Sequence, residues 1–319
     1  MSESGVAGTQ IPCSICQTPC SVFDTVFYVQ KLIERYSAAM REIKALQANE
    51  CLAPESDPGT DQQLSPQEAS EIGNAAQDYA NASQHAPLER WLKAKQIHAR
   101  FEHSNVDMSG YFDEAAQQLG KEYSLFGELV QRVNWSYRKN HTGLNIDLSA
   151  ASQKDVQQLT TLCRQFYGHT LFARYHYQKQ EKIIRLSLQP APKIRKFFEG
   201  AWLEWFALME LVDLLNSRKK GFSCARGVEV LFPNEDVHEL DVLVQPTGQD
   251  PICIECKTGE FRREIDKYQR LRKRLGIERS RFIICATDIT EDQAVSLSAM
   301  YDLTFVNLNS LSRHLTSIV

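Results

Sequence analysis

The chain has 319 residues, 43% hydrophobic and 24% charged, with a net charge of −4, so it is globular in composition and long enough for two or three units. That balance excludes an overall basic nucleic-acid coat, and any such footprint has to be local. With no basic or apolar leader after Met1, and with the apolar run Ala201 to Leu215 broken by Glu204, Glu210 and Asp213, the chain is expected to be cytoplasmic, without a membrane partner and with its nine cysteines reduced.

Cys13, Cys16 and Cys20 form a C-x2-C-x3-C cluster. Thiolates at that spacing can hold Zn²⁺ if Cys51 or a histidine supplies the fourth ligand; unligated thiols are the simpler expectation. From Ser21 to Asn49 apolar residues recur at helical spacing. A polar linker follows near residues 52 to 66, where Ser65-Pro66 offers a helix start. A second helical region runs through Leu88, Trp91, Leu92, Ile97 and Phe101, and a third from Tyr111 to Tyr137. Residues 1–140 therefore read as a mainly α-helical N-terminal region, suited to forming a homodimer or binding a protein partner. Arg132, Arg138, Lys139 and His141 near its end are consistent with phosphate contact or with a solvated helix end.

Residues 141–190 read as a small α/β connector: a strand at Leu144 to Leu148, a helix opened by Ser152 and ended near Gly168, and strands at Thr170 to His176 and Lys182 to Leu188. Residues 191–319 read as a separate α/β domain. Pro190-Ala191-Pro192 opens it, and Ile194 to Ser217 is expected to be one long helix, apolar almost all round. Glu204 sits on that apolar surface and needs a partner, either a metal ion or an arginine.

The next stretch, Glu239-Leu240-Asp241-Val242-Leu243-Val244, alternates with period two, as does Ile252-Cys253-Ile254-Glu255-Cys256-Lys257. A turn cluster, Gln245 to Pro251, joins them into an antiparallel hairpin. Strict alternation puts Leu240, Val242 and Val244 on one face and Asp241, Glu255 and Lys257 on the other. Two hard carboxylates there can hold Mg²⁺ or Mn²⁺, and a lysine beside them can orient a water or offset charge on a phosphate; an exposed, solvated hairpin face would show the same residues. Phe261 to Leu275 then reads as a basic helix, whose Arg262, Arg263, Arg270 and Lys273 are candidates for the phosphate backbone. A buried strand at Arg281 to Thr287, a helix at Glu291 to Met300 and a last strand at Leu303 to Leu308 complete a mixed sheet flanked by helices.

The run Gly200-Ala201-Trp202-Leu203-Glu204, with Glu239-Leu240-Asp241-Val242 and Ile254-Glu255-Cys256-Lys257-Thr258, resembles the PD-(D/E)xK, restriction-endonuclease-like superfamily. More narrowly it is similar to the nuclease half of CRISPR-associated nucleases activated by cyclic oligoadenylate. The resemblance covers the last two-fifths of the chain, and the helical reading of residues 1–140 departs from that family's Rossmann-like sensor. It implies a restriction-endonuclease-like fold and a Mg²⁺- or Mn²⁺-dependent endonuclease with one or two ions, acting on DNA in a defence or mobile-element setting. Catalysis would fall to Glu204, Asp241, Glu255 and Lys257, with the three carboxylates facing the metal. A ribonuclease, or a non-catalytic nucleic-acid-binding or assembly module on the same fold, are the alternatives.

Overall fold

A computed structural model describes residues 10–12, 19–21, 79–232 and 237–319. Cys13, Cys16 and Cys51, the first expected helix and the polar linker lie outside the described residues. The chain divides into two units, residues 1–75 and 76–319. In the first, β1 (Gln10–Pro12) pairs antiparallel with β2 (Pro19–Ser21), placing Cys20 opposite Ile11.

The second unit opens with α1 (Ala82–Ala94), whose N-cap Asn81 accepts the Gln84 N–H at 2.9 Å. The expected helix stops short of Ile97 and Phe101 because Gln96 turns left-handed (φ 59°), and β3 (His98–Arg100) follows. The N-terminal region is thus not purely helical: its described residues include three short strands. The expected helix over Tyr111 to Tyr137 is two, α2 (Phe112–Lys121) and α3 (Tyr123–Arg138), parted at Glu122 with φ −120°.

Next come β4 (Gly143–Asp147), α4 (Gln153–Gly168), β5 (Phe172–Gln178) and β6 (Ile183–Leu188). Their strands form an antiparallel sheet in the order β4-β6-β5. Ser152 caps α4 as the sequence predicts, but Thr170 (φ 59°), not Gly168, takes the left-handed turn beyond it.

The long helix expected from Ile194 is broken as well. A short α5 (Pro192–Lys196) runs into a π-helical turn, Phe197–Ala201, and only then into α6 (Trp202–Ser217). Gly200 makes the break, at φ 154°, a conformation other residues rarely adopt. After it come β7 (Phe222–Leu231), β8 (Val237–Pro246), β9 (Ile252–Lys257), a 3₁₀ turn at Arg262–Glu264, and α7 (Ile265–Leu275). The chain ends with β10 (Phe282–Ala286), α8 (Glu291–Met300), β11 (Thr304–Val306) and α9 (Leu308–Ile318). Neither β7 nor α9 is foreseen from the sequence.

Six strands make one mixed sheet in the order β11-β10-β9-β8-β7-β3. β9, β10 and β11 run parallel, while β9-β8, β8-β7 and β7-β3 are antiparallel. Each face carries its own core. Leu208, Leu211 and Leu215 of α6 pack with Val242, Val244, Ile252 and Ile254; Leu88 and Leu92 of α1 and Leu271 and Leu275 of α7 pack with Ala225, Leu243 and Cys253. No helix among the described residues is long and apolar enough to cross a membrane.

The alternation of this sheet slips at one step. The ladder pairs Arg226 with Val242 and Val228 with Leu240, skipping Gly227 and Asp241 between them. Gly227 is left-handed (φ 62°). Val228 and Leu240 accordingly join the α1/α7 core, although strict alternation puts Leu240 with Val242 and Val244. That expectation is corrected: a left-handed residue rotates the chain so that period two restarts beyond it.

Candidate active site

Asp241 stands at this irregularity, and the next ladder opens beside it. Pairing between β8 and β9 runs from Val244–Ile252 to Val242–Ile254 and stops. Two residues beyond Ile254, the Cys256 N–H donates to Asp241 Oδ2 at 2.7 Å in place of a backbone carbonyl. A side chain thus wedges two strands apart and fills the opening.

Lys257 completes the cluster. Its ammonium donates to Asp241 Oδ2 at 3.0 Å and to Glu255 Oε2 at 3.2 Å, and lies 5.2 Å from the centre of the Tyr268 ring. The Tyr268 hydroxyl donates in turn to Glu264 Oε2 at 2.5 Å. Glu255 is 2% exposed, and its other oxygen, Oε1, is buried without a hydrogen-bond partner among the described residues. Burial, reinforced by the Asp241 carboxylate, pushes the Glu255 carboxyl up to about 8. Burial pulls the Lys257 ammonium down, but Glu255 and Asp241 outweigh it and hold the group above its ordinary value. Lys257 is therefore a cation at any physiological pH.

Glu204 reaches the same cleft from α6. Its partner is one the sequence left unread: Arg226 Nη1 donates to Glu204 Oε2 at 2.7 Å. The arginine is fixed on every side. Its Nε donates to the Asn105 carbonyl at 3.0 Å, Asn105 Nδ2 returns a hydrogen bond to the Arg226 carbonyl at 3.2 Å, and its guanidinium lies 4.3 Å from the Trp205 ring centre. Burial raises the Glu204 carboxyl, and Arg226 offsets part of that rise. Of the two partners open to Glu204 at the outset, the arginine is the one in contact.

Glu204, Asp241, Cys256 and Lys257 line a cleft of about 380 Å³ together with Gly200, Thr258 and Gly259, and Glu255 lies buried behind its wall. Among the described residues no three His, Cys, Asp or Glu side chains converge closely enough to enclose a metal ion. The expected phosphate contacts stand nearby along the chain. Arg262 and Arg263 lie in the 3₁₀ turn, not in a helix; Arg270 and Lys273 are exposed on α7. Arg262 is tied to Glu260, which lines the cleft, by its N–H (2.8 Å) and its guanidinium (3.2 Å). Sequence reasoning missed Arg226 and Asn105. The available signal was a lone arginine followed by glycine inside an apolar run, Cys224-Ala225-Arg226-Gly227-Val228.

No protein-family model matches the chain, and no curated protein matches it in sequence. The chain is similar to solved structures, and with the first of these it shares its fold. Can2 from Sulfobacillus thermosulfidooxidans, in complex with cyclic tetra-adenylate (cA4), matches 72% of this chain at 13% identity and a TM-score of 0.50. Protein VC1899 from Vibrio cholerae matches the same share at 20% identity and a TM-score of 0.49. In each case the match spans 59% of the neighbour's own length.

Proposed function

We propose that the cleft is the active site of a metal-dependent endonuclease of the PD-(D/E)xK, restriction-endonuclease-like type, cleaving DNA in a defence setting. The observation that carries this reading is the meeting of Asp241, Glu255 and Lys257 where β8 and β9 part. The resemblance of the sequence motifs and the fold shared with Can2 support it.

The donor set suits a hard cation. Asp241 and Glu255 offer carboxylate oxygens, and the buried, unpartnered Glu255 Oε1 needs either a proton or a positive charge. With no third acidic ligand in the cluster, water and phosphate oxygens would fill the rest of the shell, as Mg²⁺ prefers. Asp241, Glu255 and the Cys256 carbonyl are the groups that would hold it. When bound, the ion would polarise the phosphate and acidify a water.

The chain's own groups do the rest. An ammonium held by hydrogen bonds to Asp241 and Glu255 donates and takes no proton, so Lys257 orients the attacking water through its lone pairs and offsets negative charge growing on the phosphate. Glu204, held by Arg226, is aimed at a water entering the cleft. Arg262, Arg263, Arg270 and Lys273 would grip the phosphate backbone, each adding to the salt dependence of binding. A protein partner or second copy would engage the region ahead of residue 141.

The test is cleavage of supercoiled plasmid and single-stranded DNA with Mn²⁺, Mg²⁺ or EDTA, each with and without cyclic tetra-adenylate. Cutting that needs the metal and falls at least ~100-fold in both Asp241→Ala and Lys257→Ala is the expected result. Undiminished cutting by Asp241→Ala would overturn the assignment.

A further inference from the structure

A second cleft, of about 220 Å³, adjoins the first and shares Lys196, Ala201 and Glu204 with it. Its chemistry differs. Trp205 and the half-buried Phe112 give it aromatic walls, and Asn105 contributes an amide. Gly227 keeps it open: a Cβ there would meet Asn105 Nδ2 at 2.9 Å and Glu239 Oε1 at 3.1 Å. Lys193 and Lys196, both exposed on α5, line it too; Lys196 stands 3.9 Å from Glu239 Oε1 in an exposed pair that a phosphate can displace, whereas Arg226 within is neutralised in a buried pair with Glu204.

A pocket this small suits a fragment, since whole drug-sized ligands take about 300 Å³ or more. Aromatic walls with an amide and two cations at the mouth match one planar base carried on a phosphate chain. Lys196 lies on the ridge between the clefts, where a chain threading both would place a phosphate. We infer that the second cleft receives the unpaired base next to the scissile phosphodiester, making single-stranded nucleic acid the substrate class of the site. The inference rests on the nuclease reading of the first cleft. In a duplex the base would have to leave its stack, which costs a few kcal/mol and is avoided in a single strand.

Binding tests this without turnover. In EDTA, fluorescence anisotropy would compare a short labelled single strand with a hairpin duplex of the same sequence, using wild type, Ser104→Trp and Lys196→Glu. Ser104 is an exposed lining residue, so its tryptophan fills the cleft from the solvent side; circular dichroism confirms folding. Expected are a preference of at least ~10-fold for the single strand and a loss of roughly 10-fold in either variant, the weight of one stacked base. Equal affinity for strand and hairpin, or wild-type binding by folded Ser104→Trp, would overturn the inference. Hydrolysis of bis(p-nitrophenyl) phosphate with Mn²⁺, which needs the first cleft alone, separates the two readings. Hydrolysis with strand binding indifferent to Ser104→Trp removes only the base pocket. Binding lost in Ser104→Trp without any hydrolysis upholds base recognition and removes the nuclease.

Discussion

Replacing Arg226 by methionine keeps most of the side-chain length and removes the charge. In the wild type the guanidinium is 10% exposed and the Glu204 carboxylate 16%, so the pair is largely out of water. Deleting one partner of such a pair strands the other charge, at about 3–5 kcal/mol. The residual exposure argues for the lower end, about 3 kcal/mol, including the lost hydrogen bond to the Asn105 carbonyl. For a unit of about 240 residues, an unfolding entropy of about 2.1 cal/mol/K per residue converts this to a Tm drop of about 6 °C. Urea denaturation and calorimetry would measure both. The sign with pH follows from the raised Glu204 carboxyl: the cost falls on its charged form, so the deficit of Arg226→Met shrinks as pH is lowered and the carboxyl takes up a proton. Adding Glu204→Gln removes the stranded charge and restores most of the loss. A deficit under about 1 kcal/mol, or a double variant no better than the single one, would refute the idea that the two charges depend on each other.

Other expectations are independent of that pair. Glu255, raised from 4.5 to about 8, carries a proton in the folded chain between those values that the unfolded chain has lost; its contribution to stability therefore declines as pH rises through that window. Mn²⁺ binding at pH 7 should release about one proton, measured by titration calorimetry in two buffers of different ionisation enthalpy, and an unchanged release in Glu255→Gln would contradict the assignment. Gly227→Ala forces a side chain into a left-handed position against Asn105 and Glu239, for a loss of about 1–3 kcal/mol in urea midpoints; a neutral effect would show that the slip does not need glycine. Thr290→Ala breaks the capping box of α8, which closes with Gln293, and should cost about 1 kcal/mol while leaving metal-dependent cleavage intact.

What the sequence reveals here is what local patterning controls. Alternation in Ile252 to Lys257 and the turn formers before it suffice to put Glu255 and Lys257 on one face, and helical spacing marks α6 despite its kink. Arg226 escapes because β7 is buried on both faces from Ser223 to Ala225 and Gly227 resets its alternation midway, so the strand shows no sustained period. β3 escapes because three residues carry no period at all; its pairing with Leu231, Val230 and Glu229 is imposed from across the chain. The break before α6 was written in Gly200, but one glycine in so apolar a run does not by itself announce a π-helical turn.

That remote pairing sets a schedule on the ribosome. His98 to Arg100 emerge roughly 130 residues before the β7 residues they bond to, on the order of 6–26 s at about 5–20 residues per second. Until then β3 and the apolar side of α1 have nothing to lie against, and the Asn105 carbonyl that will receive Arg226 waits with them. The strands carrying Asp241, Glu255 and Lys257 emerge later still, and the parallel strands β10 and β11 beyond β9 come last. The cleft thus forms only once β9 and the turn after it have emerged, and a chain stalled before about residue 306 exposes an incomplete sheet while its early elements are already out. Such a protein gains from a chaperone during translation more than its size alone would suggest.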